Sequence, residues 1–120
     1  WTDYAVTSEI TPYLAKHAGI AARVQGLRRY YALLLGEGGV ARLVKMDDAE
    51  TVLAEAPFPW EVFVPYRLTI TVRGDAITGE IAGGPTLTAS DPGSRLTGGG
   101  AGFVIEEGTL GAERIEMTPA

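Results

Sequence analysis

Gly19-Ile20-Ala21-Ala22-Arg23-Val24-Gln25-Gly26-Leu27-Arg28-Arg29-Tyr30-Tyr31-Ala32-Leu33-Leu34-Leu35-Gly36 is the stretch whose reading decides the fold. Ala, Leu, Arg and Tyr are compatible with a helix, and Leu14, Ala18, Ala21, Ala22 and Gln25 recur at helical spacing. Gly19, Gly26 and Gly36 oppose it, each costing about 1 kcal/mol relative to Ala in a helix interior. They fall where strand boundaries would. Read as strands, Ile20, Ala22 and Val24 share one face, and Ala21, Arg23 and Gln25 the other. After a short turn at Gln25 to Arg28, Tyr31, Leu33 and Leu35 oppose Tyr30, Ala32 and Leu34, so both faces are apolar. We therefore expect a hairpin at the middle of a β-sandwich, its second strand covered on both sides.

Working outward, Thr2 to Thr11 alternates as a half-buried strand, with Tyr4, Val6, Ser8 and Ile10 on one face, and Pro12 ends it. Tyr13 to Ala18 reads as a single helical turn or a loop, with the one histidine, His17, as a solvated loop residue. Glu37-Gly38-Gly39 is a tight turn into the strand Val40 to Met46. Asp47-Asp48-Ala49-Glu50 is a polar turn whose carboxylates lack the alternating spacing and turn glycine of a calcium loop. Thr51 to Ala56 is a short strand, and Pro57-Phe58-Pro59-Trp60-Glu61 a stiff segment. Tyr66 to Arg73 is the clearest strand, with Leu68, Ile70 and Val72 inward. Turns at Gly74-Asp75 and Ala82 to Pro85 extend it into a meander through Ala76 to Ile81 and Thr86 to Ser90. Asp91 to Gly100 is a loop. Its glycines Gly98 to Gly100 precede a strand, Ala101 to Glu106, and not the helix a phosphate cradle requires. Ala112 to Met117 is expected as the last strand, with Ile115 and Met117 at core spacing.

Sixteen Gly and seven Pro in 120 residues imply many turns, in keeping with an all-β chain of one domain, residues 1–120. A formal net charge of −5 disfavours nucleic acid and anionic membranes as partners. No apolar run approaches the ~20 residues of a membrane-spanning helix. The compartment is left open between cytoplasm and exterior. The chain has no cysteine, which excludes disulfides, thiolate metal sites and a Cys nucleophile. It opens at Trp1, and we expect it to be the C-terminal part of a longer protein.

Trp1-x-Asp3-Tyr4, the Gly19 to Val24 strand with Arg23, Arg29-Tyr30-Tyr31, Leu68 to Gly74, and Gly100-x-Gly102-Phe103-Val104 together resemble the concanavalin A-like jelly roll. Within it they are similar to the laminin-G-like and exo-inulinase-domain group, which includes the 3-keto-disaccharide hydrolase domains. The nearest echo is the β-sandwich at the C-terminus of bacterial ADP-ribosylglycohydrolase (crystallin J1-like) proteins. Two departures stand out. The Phe-Asp-Asn of many relatives is absent from Glu107 to Glu113, and strands that precede W-x-D-Y in relatives are missing here. The resemblance thus implies an antiparallel jelly roll lacking N-terminal strands, with an open edge inviting self-association.

For catalysis, Glu61, Glu80, Glu106 and Glu107 are the carboxylates to weigh against a glycosidase pair. Glu106 and Glu107 are adjacent on a strand and point apart, and Glu61 and Glu80 show no convergent spacing. The serines at 8, 90 and 94 have no base within a triad pattern. No catalytic set, metal site or cofactor is expected. Saccharide binding is better motivated, because it needs an aromatic ring for a pyranose face beside planar hydrogen-bonding groups. Arg23, Gln25, Arg28, Tyr30, Trp60, Glu61 and Tyr66 are the residues of those types that we single out. The expected function is a carbohydrate-binding-like accessory domain of a bacterial glycoside or ADP-ribosyl hydrolase, its ligand a glycan or a ribosyl-containing molecule. The alternative is an interaction sandwich that packs on a catalytic domain or self-associates. A hydrolase in its own right ranks third.

Overall fold

The computed structural model describes residues 2–14, 16–106, 109–112 and 114–120. Trp1 of the W-x-D-Y motif and the candidate Glu107 lie outside that set, as does the side chain of Glu106. Along the described chain run β1 (Tyr4–Leu14), β2 (His17–Gly26), β3 (Arg29–Gly36), β4 (Val40–Asp47), β5 (Ala49–Pro57), β6 (Tyr66–Arg73), β7 (Ala76–Ile81), β8 (Thr86–Ser90), β9 (Gly100–Glu106), β10 (Thr109–Ala112) and β11 (Glu116–Pro119). The described residues contain no helix.

Two antiparallel sheets stack as a sandwich, so the all-β expectation holds. One sheet has the order β5-β4-β3-β2-β9. The other runs β10-β1-β6-β7-β8, with β11 also paired to β1. The alternation read from Tyr66 to Arg73 is observed: Leu68, Ile70 and Val72 are fully buried against Tyr4, Val6 and Ile10 of β1 and against Ile20, Leu33 and Leu35 of the facing sheet. Glycines let the layers close. A Cβ on Gly19 would lie 1.9 Å from the Leu33 carbonyl oxygen, and one on Gly79 would lie 2.8 Å from a Leu33 methyl.

Several expectations need correction. Tyr13 to Ala18 holds no helical turn among its described residues: β1 extends to Leu14, and His17 is a half-buried residue that opens β2. The acidic turn shrinks to Asp48, whose φ of 62° reverses the chain between Asp47 and its partner Ala49. The expected final strand over 112–117 is not continuous: Ala112 ends β10, and β11 begins at Glu116. β10 pairs with the second half of β1 and β11 with the first, while Arg114 and Ile115 bridge them. Met117 is consequently exposed. The open edge expected beside the first strand is not there either, because β1 has β6 on one side and β10 and β11 on the other. Finally, β3 is covered on one face only. Its outward residues Ala32 and Leu34 are nonetheless shielded, through lateral packing with Ala21 and Val44 of the neighbouring strands.

Candidate functional site

Arg23 departs furthest from simple alternation. Its φ of 50° and the register shifts of β2 against both neighbours mark a bulge, which turns the guanidinium inward. It is 3% exposed. Nε and Nη2 donate to the Thr2 carbonyl at 3.0 and 2.7 Å, and Nη1 donates to Gly74 and Leu96 carbonyls at 2.9 and 3.2 Å. The Arg23 amide donates to Tyr4 Oη at 2.6 Å, and that hydroxyl reaches the Gly99 carbonyl at 2.9 Å. Asp3 Oδ1 accepts the Gly74 amide at 2.9 Å. Asp3, Tyr4 and Arg23, each part of the family resemblance, therefore seal one end of the sandwich, with Tyr4 and Arg23 buried and Asp3 at the surface. Burial pushes the Tyr4 phenol up, against the opposing hydrogen bond and charge of Arg23.

The remaining candidates fall into two groups. Gln25, Arg28 and Tyr30 gather where β2 turns into β3, whereas Trp60, Glu61 and Tyr66 sit by Gly36 at the other end of β3. Tyr30 and Gly36 stand six residues apart along β3, roughly 20 Å at the rise of an extended chain, so one sugar ring cannot touch both groups. In the second group the polar atoms brace a loop: Trp60 Nε1 donates to the Gly36 carbonyl at 2.7 Å, and the Glu61 amide donates to Tyr66 Oη at 2.8 Å. Tyr66 also packs edge-on to Phe58. Glu80 lies on the outer face of β7, on a different element from Glu61, and the pair shares no cleft.

In the first group, Gln25 Nε2 donates to the Gly98 carbonyl at 2.9 Å, and Arg28 Nη2 donates to the Asp48 carbonyl. Below them lies a polar knot that sequence reasoning missed. Tyr31 Oη is 2.6 Å from Asp91 Oδ2 and 2.7 Å from Ser94 Oγ, and Lys45 Nζ is 2.8 Å from the same carboxylate oxygen. Arg95 grips Asp47 and reaches Asp48 at 3.2 Å. Burial, helped by Asp91, pushes the Tyr31 phenol up to about 12. Burial alone would raise Asp91, but contacts from Lys45 and Tyr31 outweigh it and hold the carboxyl below its ordinary range. The hydrogen bond from Arg95 does the same to Asp47. These groups satisfy one another, so the knot fastens the loop after β8 and is no reactive centre.

Above this end, on the outer face of the five-stranded sheet, Tyr30 borders a depression of about 500 Å³ with Val24, Leu27, Gly102 and Val104. Gly102, opposite Ala21 on β2, has nothing within 4 Å of the point where a Cβ would stand, which leaves the floor of the depression bare. Leu27 is 97% exposed at the hairpin tip. Chemically this is a shallow apolar trough with one phenol ring on its wall; Gln25 and Arg28, tied to the Gly98 and Asp48 carbonyls, do not line it. Of the residues singled out from sequence, Tyr30 alone lines it. Val24 and Val104 became visible as its walls only through the bulge and the β2–β9 pairing. Among the described residues no three His, Asp or Glu gather as metal ligands.

No protein-family model and no curated protein matches the chain. Solved structures do. The carbohydrate-binding module CBM66 from Bacillus subtilis superposes with a TM-score of 0.82 at 18% identity, over 98% of this chain and 75% of that one. Sheep galectin-11, in complex with glycerol, gives 0.69 at 9% identity over 98% and 91%. The GH43 protein BlXynB from Bacillus licheniformis, as its K247S mutant, gives 0.71 at 16% identity, over all of this chain and 28% of that longer one. At these identities the likeness establishes the fold, a concanavalin-like jelly-roll sandwich.

Proposed function

We propose that the chain is a non-catalytic saccharide-binding β-sandwich, with its ligand seated in the trough on the outer face of β2, β3 and β9. The observation that carries this reading is the half-buried Tyr30 ring beside a glycine-floored depression of ligand size. A pyranose stacked on that ring would lie against the walls formed by Val24 and Val104, with the Tyr30 hydroxyl as the polar side-chain group on the lining. The fold shared with a carbohydrate-binding module and a galectin supports it by analogy. Attachment to a larger hydrolase is part of the same proposal. A GH43 protein carrying a sandwich of this fold within a longer chain supports such attachment. None of the three neighbours speaks for an ADP-ribosyl hydrolase as the parent. Of the original candidates, Arg23, Trp60, Glu61 and Tyr66 serve as scaffold in this reading.

A glycan array probed with the purified chain tests it. Tyr30→Ala should weaken binding to at least one array hit about fivefold or more with an unchanged circular dichroism spectrum. No hit above background, or full binding by Tyr30→Ala, refutes it. A second reading, an interaction domain, is favoured by the exposed apolar side chains along the same trough. Leu27 at the hairpin tip and Phe103 and Ile105 on the edge strand β9 are all exposed. Sedimentation showing a concentration-dependent dimer that Ile105→Lys abolishes would select that reading.

A further inference from the structure

The loop between β5 and β6, which crosses from one sheet to the other, presents an aromatic ring in a strained backbone. Phe63 has φ of 63° and is 68% exposed. For a bulky residue this conformation is a true outlier, costing on the order of 1–3 kcal/mol. The segment is braced around it. The Phe58 amide donates to the Gly39 carbonyl at 2.8 Å, the Phe63 amide donates to the Pro12 carbonyl at 2.7 Å, and Trp60 and Glu61 are tied as described above. The Phe63 ring stands 5.7 Å from that of Tyr13, tilted by 43°. Tyr13 lies over Gly111 of β10, where a Cβ would come within 2.6 Å of the phenol oxygen. Tyr13, with Thr11 and Glu9 on the same face of β1, borders a depression of about 340 Å³.

We infer that Phe63 and Tyr13 form a second saccharide platform, which takes one or two rings of a neutral glycan along β1. The rings offer flat apolar faces; Thr11, Glu9 and the Tyr13 hydroxyl offer donors and acceptors for hydroxyl groups. A carboxylate in the depression and a chain of net charge −5 discriminate against phosphorylated or otherwise anionic ligands. Rigid bracing lowers the ordering cost of binding. This platform rests on residues distinct from the Tyr30 trough, so either stands or falls alone.

The test is affinity electrophoresis of the whole chain in gels containing soluble neutral polysaccharides: xylan, galactomannan, mixed-linkage β-glucan, arabinan or dextran. Phe63→Gly is the informative variant, because glycine relieves the left-handed strain. It should raise the melting temperature while weakening retardation about fivefold. Tyr13→Ala should weaken retardation likewise, and Phe63→Trp should preserve or strengthen it. Unchanged retardation in both Phe63→Gly and Tyr13→Ala overturns the platform, even if Tyr30→Ala abolishes binding. So does the absence of retardation in every gel, or self-association lost in Phe63→Gly with no retardation.

Discussion

At the scale of single residues, Arg23 shows how a side chain suited to recognition can be committed to structure. Its guanidinium meets carbonyls from three separated parts of the chain, Thr2, Gly74 and Leu96, at 3% exposure. Arg23→Met keeps the length and removes the donors, leaving poorly hydrated carbonyls behind. Each such orphaned acceptor costs about 1–3 kcal/mol, and we expect a loss of about 3 kcal/mol, read as a lower urea midpoint at unchanged m. Arg23→Lys should recover little of it, since an ammonium cannot reproduce the planar fork. Nothing in the alternation Ala21-Ala22-Arg23-Val24 announces this. A non-glycine residue at positive φ leaves no pattern in the sequence, and Arg23 reads as one more outward strand residue until the bulge is seen. Phe63 escaped notice for the same reason, although its braces Trp60, Glu61 and Tyr66 were singled out.

At the scale of elements, the β2–β3 hairpin was legible because its three glycines oppose a helix, although Gly26 and Gly36 end strands while Gly19 lies within β2. Gly19 allows the β3 backbone to approach to a distance that any side chain would forbid. Gly19→Ala should therefore cost more than about 4 kcal/mol or abolish folding. Gly26, beside the turn, has nothing within 4 Å of a Cβ and a φ outside the left-handed region. Gly26→Ala should be neutral or stabilise by about 0.4–1 kcal/mol through the unfolded chain. Thermal melts of the two variants decide the contrast. Strand β6 was equally legible, since every second residue is apolar and every other one polar. Where pairing changes partner, periodicity carries no signal: the break between β10 and β11 depends on which half of β1 each one meets. The candidate site suffered likewise, because the walls of the trough come from strands joined by pairing and far apart in sequence.

At the scale of the whole molecule, hydrogen-bonded titrating groups at one end of the sandwich define a window of pH stability. The Tyr31 phenol is raised from 10.0 to about 12 in the folded state, and Tyr4 is raised too. Their contribution is complete below pH 10 and is lost as pH climbs from 10 toward about 12. Asp91 and Asp47 are depressed below their ordinary 3.8. Their contribution is present above that value and is lost as pH falls through the lower folded one. Urea midpoints across pH should thus form a plateau with two falling edges, and Tyr31→Phe should shift the alkaline edge upward. A midpoint that already declines between about pH 8 and 9 would contradict this assignment.

The pairing of β11 with the first half of β1 has one more implication. Tyr4 lies opposite Pro119, and the Ala120 amide donates to the Asp3 carbonyl at 3.3 Å. The first and last described strands are thus clasped about one strand spacing apart. Loss of β11 would bare the hydrogen-bonding groups along the first half of β1.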